Sequence, residues 1–228
     1  MTANKLIGMG IALITPFKHD GSVDYEALGK LIEYQIANHA DYLVMLGTTA
    51  ETPTLTASER NEIARFIIAK NNKRLPLVMG IGGNDTRTVI EQIKSTDLSH
   101  VDAILSVVPY YNKPSQEGIY QHYRAIAQAT NMPIILYNVP GRTGVNMKAE
   151  TVLRLAHEFP NIVAIKEASG NFAQIDEIIK NKPTHFMVIS GDDGITFPLI
   201  TLGAVGVISV VGNAFPREFS RMVRLAIR

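Results

Sequence analysis

One lysine interrupts an apolar run, and its amine is the first candidate for chemistry. In NIVAIKEASG, residues 161–170, Lys166 follows three apolar residues that predict a buried β-strand. Lysine is seldom fully buried without an opposite charge, and a desolvated ammonium gives up its proton more readily. Three interpretations follow: an ion-pair member with Glu167 or Glu51 as the partner, a strand-end residue that reaches water, or a neutral amine that attacks a ketone to form a Schiff base.

The alternation of side chains along a strand predicts what surrounds this amine. If Lys166 points to the inside of a barrel, Ala164 points there too, and its small side chain leaves room beside the amine. Val163 and Ile165 are then expected to face the helices.

A second candidate for chemistry is the phenol of Tyr137, which ends the apolar run IILYNVP. A tyrosine hydroxyl at the end of a strand beside the lysine could carry the protons that imine formation requires. The alternative is a core tyrosine whose hydroxyl simply has a hydrogen-bond partner.

Two short motifs offer groups that bind anions. LGTTAET presents the hydroxyls of Thr48 and Thr49 with consecutive backbone N–H groups, which suits a carboxylate or a proton relay, or else a capping turn. GRTG presents Arg142, which could grip a carboxylate with two hydrogen bonds or lie solvated at the surface.

Two further motifs are less specific. GDDG resembles a metal-binding loop, but no histidine or further carboxylate stands at ligand spacing, so we predict no metal site. In PYYNKPS the side chains of Tyr110 and Tyr111 are expected to point in opposite directions. One would then serve a site, and the other would be exposed at a subunit interface.

The elements that position these residues alternate regularly. Short apolar runs are each followed by a segment with helical periodicity, which predicts a parallel sheet covered by helices; the eight runs are MGIALITPF, DYLVMLG, LPLVMGIGG, VDAILSVVP, MPIILYNVP, NIVAIKEAS, HFMVISGDD and VGVISVVGN. Thr56 and Glu59 predict a capping box, and Ser115 a further helix cap. Eight such units predict one α/β domain over residues 1–228, a (β/α)8 TIM barrel, whose active site lies at the carboxyl ends of the strands. GIGGND lacks the third glycine of a dinucleotide-binding fingerprint.

Composition narrows the possible partners. The chain has 228 residues, of which 46% are hydrophobic, and a formal net charge of +1, which favours a small metabolite over nucleic acid or an anionic membrane. It contains no cysteine, which excludes disulfides and thiolate chemistry. No signal peptide or membrane span is evident in the amino-terminal sequence, and we expect a cytoplasmic protein.

Six motifs occur in an order that resembles the pyruvate-dependent class I aldolases of the dihydrodipicolinate synthase and N-acetylneuraminate lyase family. They are GTTAET, VPYYNKPSQEG, YNVPGRTG, IVAIKEASG, SGDD and GVISV. The similarity runs along the whole chain. Arg142 matches the residue that binds the carboxylate of aspartate semialdehyde in the synthases, which favours the synthase activity.

The resemblance implies a role for each candidate residue. Lys166 would form the imine with pyruvate, while Tyr137, Thr48 and Tyr111 would relay protons, with Tyr111 supplied to the neighbouring subunit. The pyruvate carboxylate would lie on Thr49, and the pocket would be lined by Gly191 and Ile208. The resemblance further implies L-aspartate 4-semialdehyde as the second substrate, no cofactor, and a homotetramer built as a dimer of dimers.

The chain departs from the family pattern in three places. Ala50 replaces a glycine in the Gly-Thr-Thr-Gly-Glu loop, which we expect to be tolerated provided that its φ is negative. Positions with histidines in the lysine-sensitive enteric enzyme are Ala57 and Arg60 here, and an acidic position is Thr88, so we predict weak or absent inhibition by lysine. The resemblance also implies a C-terminal helical region, which we expect to be missing from residues 1–228.

Two alternatives remain open from the sequence. Another aldolase, such as an N-acetylneuraminate lyase or a keto-deoxy-sugar aldolase, would keep the Lys166 imine and use a different aldehyde. A barrel that has lost its chemistry would act as a binding protein.

Overall fold

In a computed structural model, which describes residues 3–228, eight parallel strands form a closed barrel in the order β1 to β8, and β8 pairs with β1. The strands lie in the eight predicted apolar runs, except that β1 begins one residue before its run. Their bounds are β1 Gly8–Ala12, β2 Tyr42–Met45, β3 Leu77–Gly80, β4 Ala103–Val107, β5 Ile134–Asn138, β6 Ile162–Glu167, β7 Met187–Ser190 and β8 Gly206–Ser209. The TIM-barrel prediction is therefore confirmed.

Helices surround the barrel in the part of the chain that is described. Their bounds are α1 Tyr25–Ala37, α2 Ala57–Asn71, α3 Thr86–Ser95, α4 Gln116–Ala129, α5 Pro140–Thr143, α6 Ala149–Glu158, α7 Phe172–Asn181, α8 Thr196–Leu202 and α9 Pro216–Ile227. The capping box of α2 is present in both directions between Thr56 and Glu59, and the Ser115 hydroxyl accepts a hydrogen bond from the Gly118 N–H at the start of α4. Both caps were predicted. Between residues 3 and 228, no helix combines the length and apolarity needed to cross a bilayer.

Two apolar cores hold the barrel together. One lies between the strands and the helices, and the other fills the inside of the barrel. Tyr42 is fully buried in the inner core, where its hydroxyl donates a hydrogen bond to the Val207 carbonyl. A Cβ at Gly10 would lie 2.1 Å from the Tyr42 ring, so the glycine on the neighbouring strand is required for this packing.

The strand that carries Lys166 contains an irregularity that alternation does not predict. Its pairing with β5 shifts between Ile134 and Ile135, so Val163 is an extra residue in β6. Ala164 lies in the inner core and Ile165 in the outer core, as expected. Val163, however, packs against the inner core, and the prediction that it faces the helices is wrong. The reason is the β-bulge, because an extra residue breaks the two-residue period of the strand.

Candidate active site

Lys166 lies near the carboxyl end of β6, and its side chain is 5% exposed. Among the described residues no carboxylate forms an ion pair with it. Glu167, one of the two partners considered for an ion pair, instead contacts groups outside the barrel, and Glu51 is exposed. The ion-pair interpretation is therefore wrong for both partners.

The environment of Lys166 shifts its titration toward the neutral amine. Burial lowers its pKa from the ordinary 10.5 to about 8; Asp193 opposes this shift, and the positive charge of Arg142 adds to it. A lysine with such a pKa carries a useful fraction of free amine near neutral pH, which is the form that attacks a ketone.

Tyr137 is the direct neighbour of Lys166 across the sheet. The two residues are paired in the β5–β6 register, and the Lys166 Nζ lies 4.3 Å from the centre of the Tyr137 ring. Burial raises the pKa of the Tyr137 phenol, while Arg142 and the Thr48 side chain counter the rise. The phenol thus stays protonated at neutral pH and can donate a proton beside the amine.

A cavity of about 300 Å³ lies at this end of the barrel. Its lining includes Tyr137, Thr48, Tyr110 and Arg142, so the phenol, a hydroxyl and a guanidinium meet in one space. Lys166 does not line this cavity itself but lies against the Tyr137 ring, which does. Thr49, Gly191 and Ile208 are also absent from its lining.

The threonine turn follows β2 after Leu46 and Gly47. Thr48–Ala50 form a single 3-10 turn, whose Ala50 carbonyl accepts a hydrogen bond from the buried Thr15 hydroxyl at 2.8 Å. Ala50 does not have a positive φ; the left-handed positions are Leu46 and Glu51, which flank the turn. The expectation that alanine is tolerated here is confirmed, since it carries no backbone strain.

Arg142 lies on the short helix α5, directly after β5. The turn is closed by Thr143, whose hydroxyl donates hydrogen bonds to the carbonyls of Val139 and Val145, and by Gly144 with a φ of +70°. This arrangement brings the exposed Arg142 over the cavity. A guanidinium at a cavity mouth suits a substrate carboxylate.

Gly191 directly follows β7, the strand that pairs with β6, whereas Ile208 lies in β8, one strand farther round the barrel. A Cβ at Gly191 would lie 3.0 Å from the Lys166 Cγ and 3.1 Å from its Cε, so only glycine leaves the lysine in place. Ile208 belongs to the inner core.

Asp193 belongs to the GDDG motif, for which the sequence predicts no metal site and no other role. Its Oδ2 accepts hydrogen bonds from the Val210 and Val211 N–H groups, its Oδ1 is buried without a hydrogen-bond partner among the described residues, and its charge raises the pKa of Lys166. The feature of the sequence that could have identified Asp193 is the acidic pair Asp192 and Asp193 at the end of β7. Within residues 3–228 no three potential ligands from His, Cys, Asp and Glu cluster as a metal site requires.

The side chains of the adjacent residues Tyr110 and Tyr111 lie in different environments. Tyr110 lines the cavity, whereas Tyr111 is 88% exposed and has a φ of +71°. This agrees with the predicted opposite directions, and it leaves Tyr111 outside the lining of the cavity.

Comparisons with known proteins agree with this geometry. Residues 5–228 match the profile of the dihydrodipicolinate synthetase family. The 4-hydroxy-tetrahydrodipicolinate synthase of Parabacteroides distasonis is 71% identical, over 97% of this chain and 75% of the relative.

Solved structures agree as well. A chloride-inhibited dihydrodipicolinate synthase from Acinetobacter baumannii, complexed with pyruvate, is 45% identical with a TM-score of 0.94, over 97% of this chain and 76% of that one. A structure described as the first monomeric dihydrodipicolinate synthase variant is 40% identical with a TM-score of 0.92, over 98% and 74% of the two chains. The protein belongs to the dihydrodipicolinate synthetase family.

Proposed function

We propose that the protein is a cytoplasmic lyase that condenses pyruvate with L-aspartate 4-semialdehyde through a Schiff base on Lys166. The product is 4-hydroxy-tetrahydrodipicolinate, an intermediate on the route to diaminopimelate and lysine. The observation that carries the proposal is a buried amine with a pKa of about 8 beside the Tyr137 phenol, next to a cavity that contains Arg142. Relatives that bear the synthase name favour this acceptor over a sugar aldehyde.

The reaction begins with the free amine of Lys166, which attacks the ketone carbon of pyruvate. Loss of water gives the imine, and loss of a methyl proton gives the enamine. Tyr137 supplies and takes up protons in these steps, with Thr48 next to it in the same cavity. Thr49 and its backbone hold the pyruvate carboxylate, while Gly191 and Ile208 bound the space around the imine.

The enamine carbon then attacks the aldehyde of the second substrate, whose carboxylate is held by Arg142. The amino group of this substrate displaces Lys166 from the imine carbon. This transimination closes the ring and returns the free lysine, so one water is released over the whole reaction. The stoichiometry of the condensation requires no external oxidant and no cofactor.

The test is mass spectrometry of the protein after incubation with pyruvate and borohydride, followed by peptide mapping. We expect a single reduced pyruvate adduct on Lys166. Arg142→Ala should keep this adduct and greatly reduce turnover with aspartate semialdehyde, whereas Arg124→Ala, an exposed arginine on α4, should change neither. Equal loss of adduct and turnover in the Arg142 variant would instead favour another aldolase.

Tyr111 connects the proposed chemistry to assembly. We propose a homotetramer, built as a dimer of dimers, in which the exposed Tyr111 completes the proton relay of the adjacent subunit. In support, Tyr111 is 88% exposed and absent from the lining of its own cavity. Mixing inactive Lys166→Ala and Tyr111→Phe subunits should restore part of the activity if Tyr111 acts across the interface; no restoration on exchange of subunits would contradict it.

A further inference from the structure

A buried polar cluster lies directly behind the Lys166–Tyr137 pair. Asn138 follows Tyr137 in β5, Glu167 follows Lys166 in β6, and the two are paired in the same register. Because consecutive side chains of a strand point to opposite faces, these two leave the barrel on the side of the helices. Both are completely buried.

The Glu167 carboxylate is held by neutral donors alone. Asn138 Nδ2 donates to both of its oxygens at 3.1 Å, the Ser169 N–H donates at 2.8 Å, and Gln174 Nε2 of α7 donates at 3.3 Å. Of the side chains between residues 5 and 228, no cation pairs with it. Burial raises the pKa of Glu167, and these hydrogen bonds oppose the rise. A buried carboxylate with no counter-ion depends on such donors, so their positions are strongly constrained.

The same cluster secures the segment that carries Arg142. Asn138 Oδ1 accepts a hydrogen bond from the Met147 N–H at 3.0 Å, and its Nδ2 also donates to Asn146 Oδ1 at 2.8 Å. Gln174 Nε2 donates to the Met147 carbonyl at 3.1 Å. The segment of residues 139–147 therefore begins directly after Asn138, and its far end is hydrogen-bonded to the Asn138 side chain.

We propose that Glu167, acting through Asn138, is a positioning residue for the condensation. Its carboxylate holds β5 in place against β6, and this contact sets the position of the Tyr137 phenol relative to the Lys166 amine. The same amide holds the Arg142 segment, so the acceptor carboxylate lies at a fixed distance from the enamine. This inference rests on the proposed function. It matters because a displacement of about 1 Å at reacting groups costs on the order of a hundredfold in rate.

The test compares three variants with the wild type. Glu167→Gln replaces an acceptor oxygen with an amide that faces donors, and Asn138→Asp places two carboxylates against each other. The double variant lets the new glutamine amide donate to the new aspartate, which restores the bond with reversed polarity. The measurements are borohydride trapping of pyruvate on Lys166, and kcat and KM for both substrates.

We expect each single variant to lose about tenfold to a hundredfold in kcat/KM for aspartate semialdehyde. The double variant should recover part of that loss. If Glu167→Gln does not fold, Gln174→Leu removes one donor of the carboxylate and is expected to lose several-fold by the same reasoning.

Asn71→Ala is the matched control, because Asn71 is also buried but lies at the amino-terminal end of the barrel, where its side chain bonds the Leu75 backbone in both directions. It should lower thermal stability and leave kcat and KM unchanged. Folded Glu167→Gln or Gln174→Leu with wild-type kinetics, or a double variant without recovery, would overturn the inference. A wild type that forms no pyruvate adduct would overturn the proposed function itself, a result distinct from these.

Discussion

We expect the rate of imine formation between Lys166 and pyruvate to rise with pH and to level off above an inflection at about 8. Only the unprotonated amine attacks the ketone, so the reaction slows as pH falls through the pKa of the folded protein. Replacing Asp193 with Asn removes a charge that raises this pKa, and the inflection should move to lower pH. Removing the positive charge of Arg142, which lowers the pKa, should move it to higher pH.

The size of the effect follows from the two pKa values. With a pKa of about 8, the free amine at pH 7 is about 9% of the total, whereas the ordinary 10.5 would leave about 0.03%. The net shift, of which burial is the largest cause, therefore increases the reactive form about 300-fold, equivalent to roughly 3 kcal/mol. This gain comes from the enclosed position of the amine between Tyr137 and Gly191, where water is largely excluded.

The assay mixes protein with pyruvate in buffers from pH 6 to about 10, quenches with borohydride at set times, and counts the Lys166 adduct by mass. Circular dichroism at each pH confirms that the protein is folded. An inflection at or above about 10, as for an ordinary lysine, would refute the argument from burial. Shifts of the same sign in the Asp193→Asn and Arg142→Ala variants would refute the electrostatic assignment.

Three further predictions concern the same site. Gly191→Ala should reduce pyruvate trapping on the order of a hundredfold, because its Cβ would lie 3.0 Å from the Lys166 side chain; a trapping rate equal to wild type would contradict the proposed packing. Tyr137→Phe should lower kcat by about a hundredfold or more through loss of proton transfer while the protein stays folded, so a kcat near wild type would assign the relay elsewhere. L-lysine should inhibit weakly or not at all in a steady-state assay, because the histidine and acidic positions of the sensitive enzyme are replaced; inhibition at micromolar lysine would show that other groups bind it.

Much of the site could be predicted because it depends on residue type and strand position. The Lys166 and Tyr137 side chains lie at the ends of adjacent strands, and parallel strands bring their carboxyl ends to one rim. Ala164 enters the barrel as alternation requires. Such features are local, so the pattern of apolar and polar residues specifies them.

Other features needed contacts between distant parts of the chain. The bulge that turns Val163 inward is a matter of register between β5 and β6, and alternation within one strand contains no information about it. Glu167 is one of the two ion-pair partners proposed for Lys166, yet its carboxylate accepts hydrogen bonds from Asn138 and Gln174 on the outer face of the barrel. Alternation along β6 alone places Glu167 on the face opposite Lys166, but only the contacts with β5 and α7 establish which groups hold its carboxylate.

Periodicity and residue chemistry along the chain predict the eight-unit barrel, a reactive amine as one of three interpretations of Lys166, the phenol expected beside it and the arginine after β5. Contacts across the closed barrel establish that Asp193 and Arg142 act on the pKa of Lys166 in opposite directions, and that Tyr110 lines the cavity while Tyr111 stays exposed. The physical reason is that pKa values and cavity walls depend on distances through space, which only the closure of the barrel establishes.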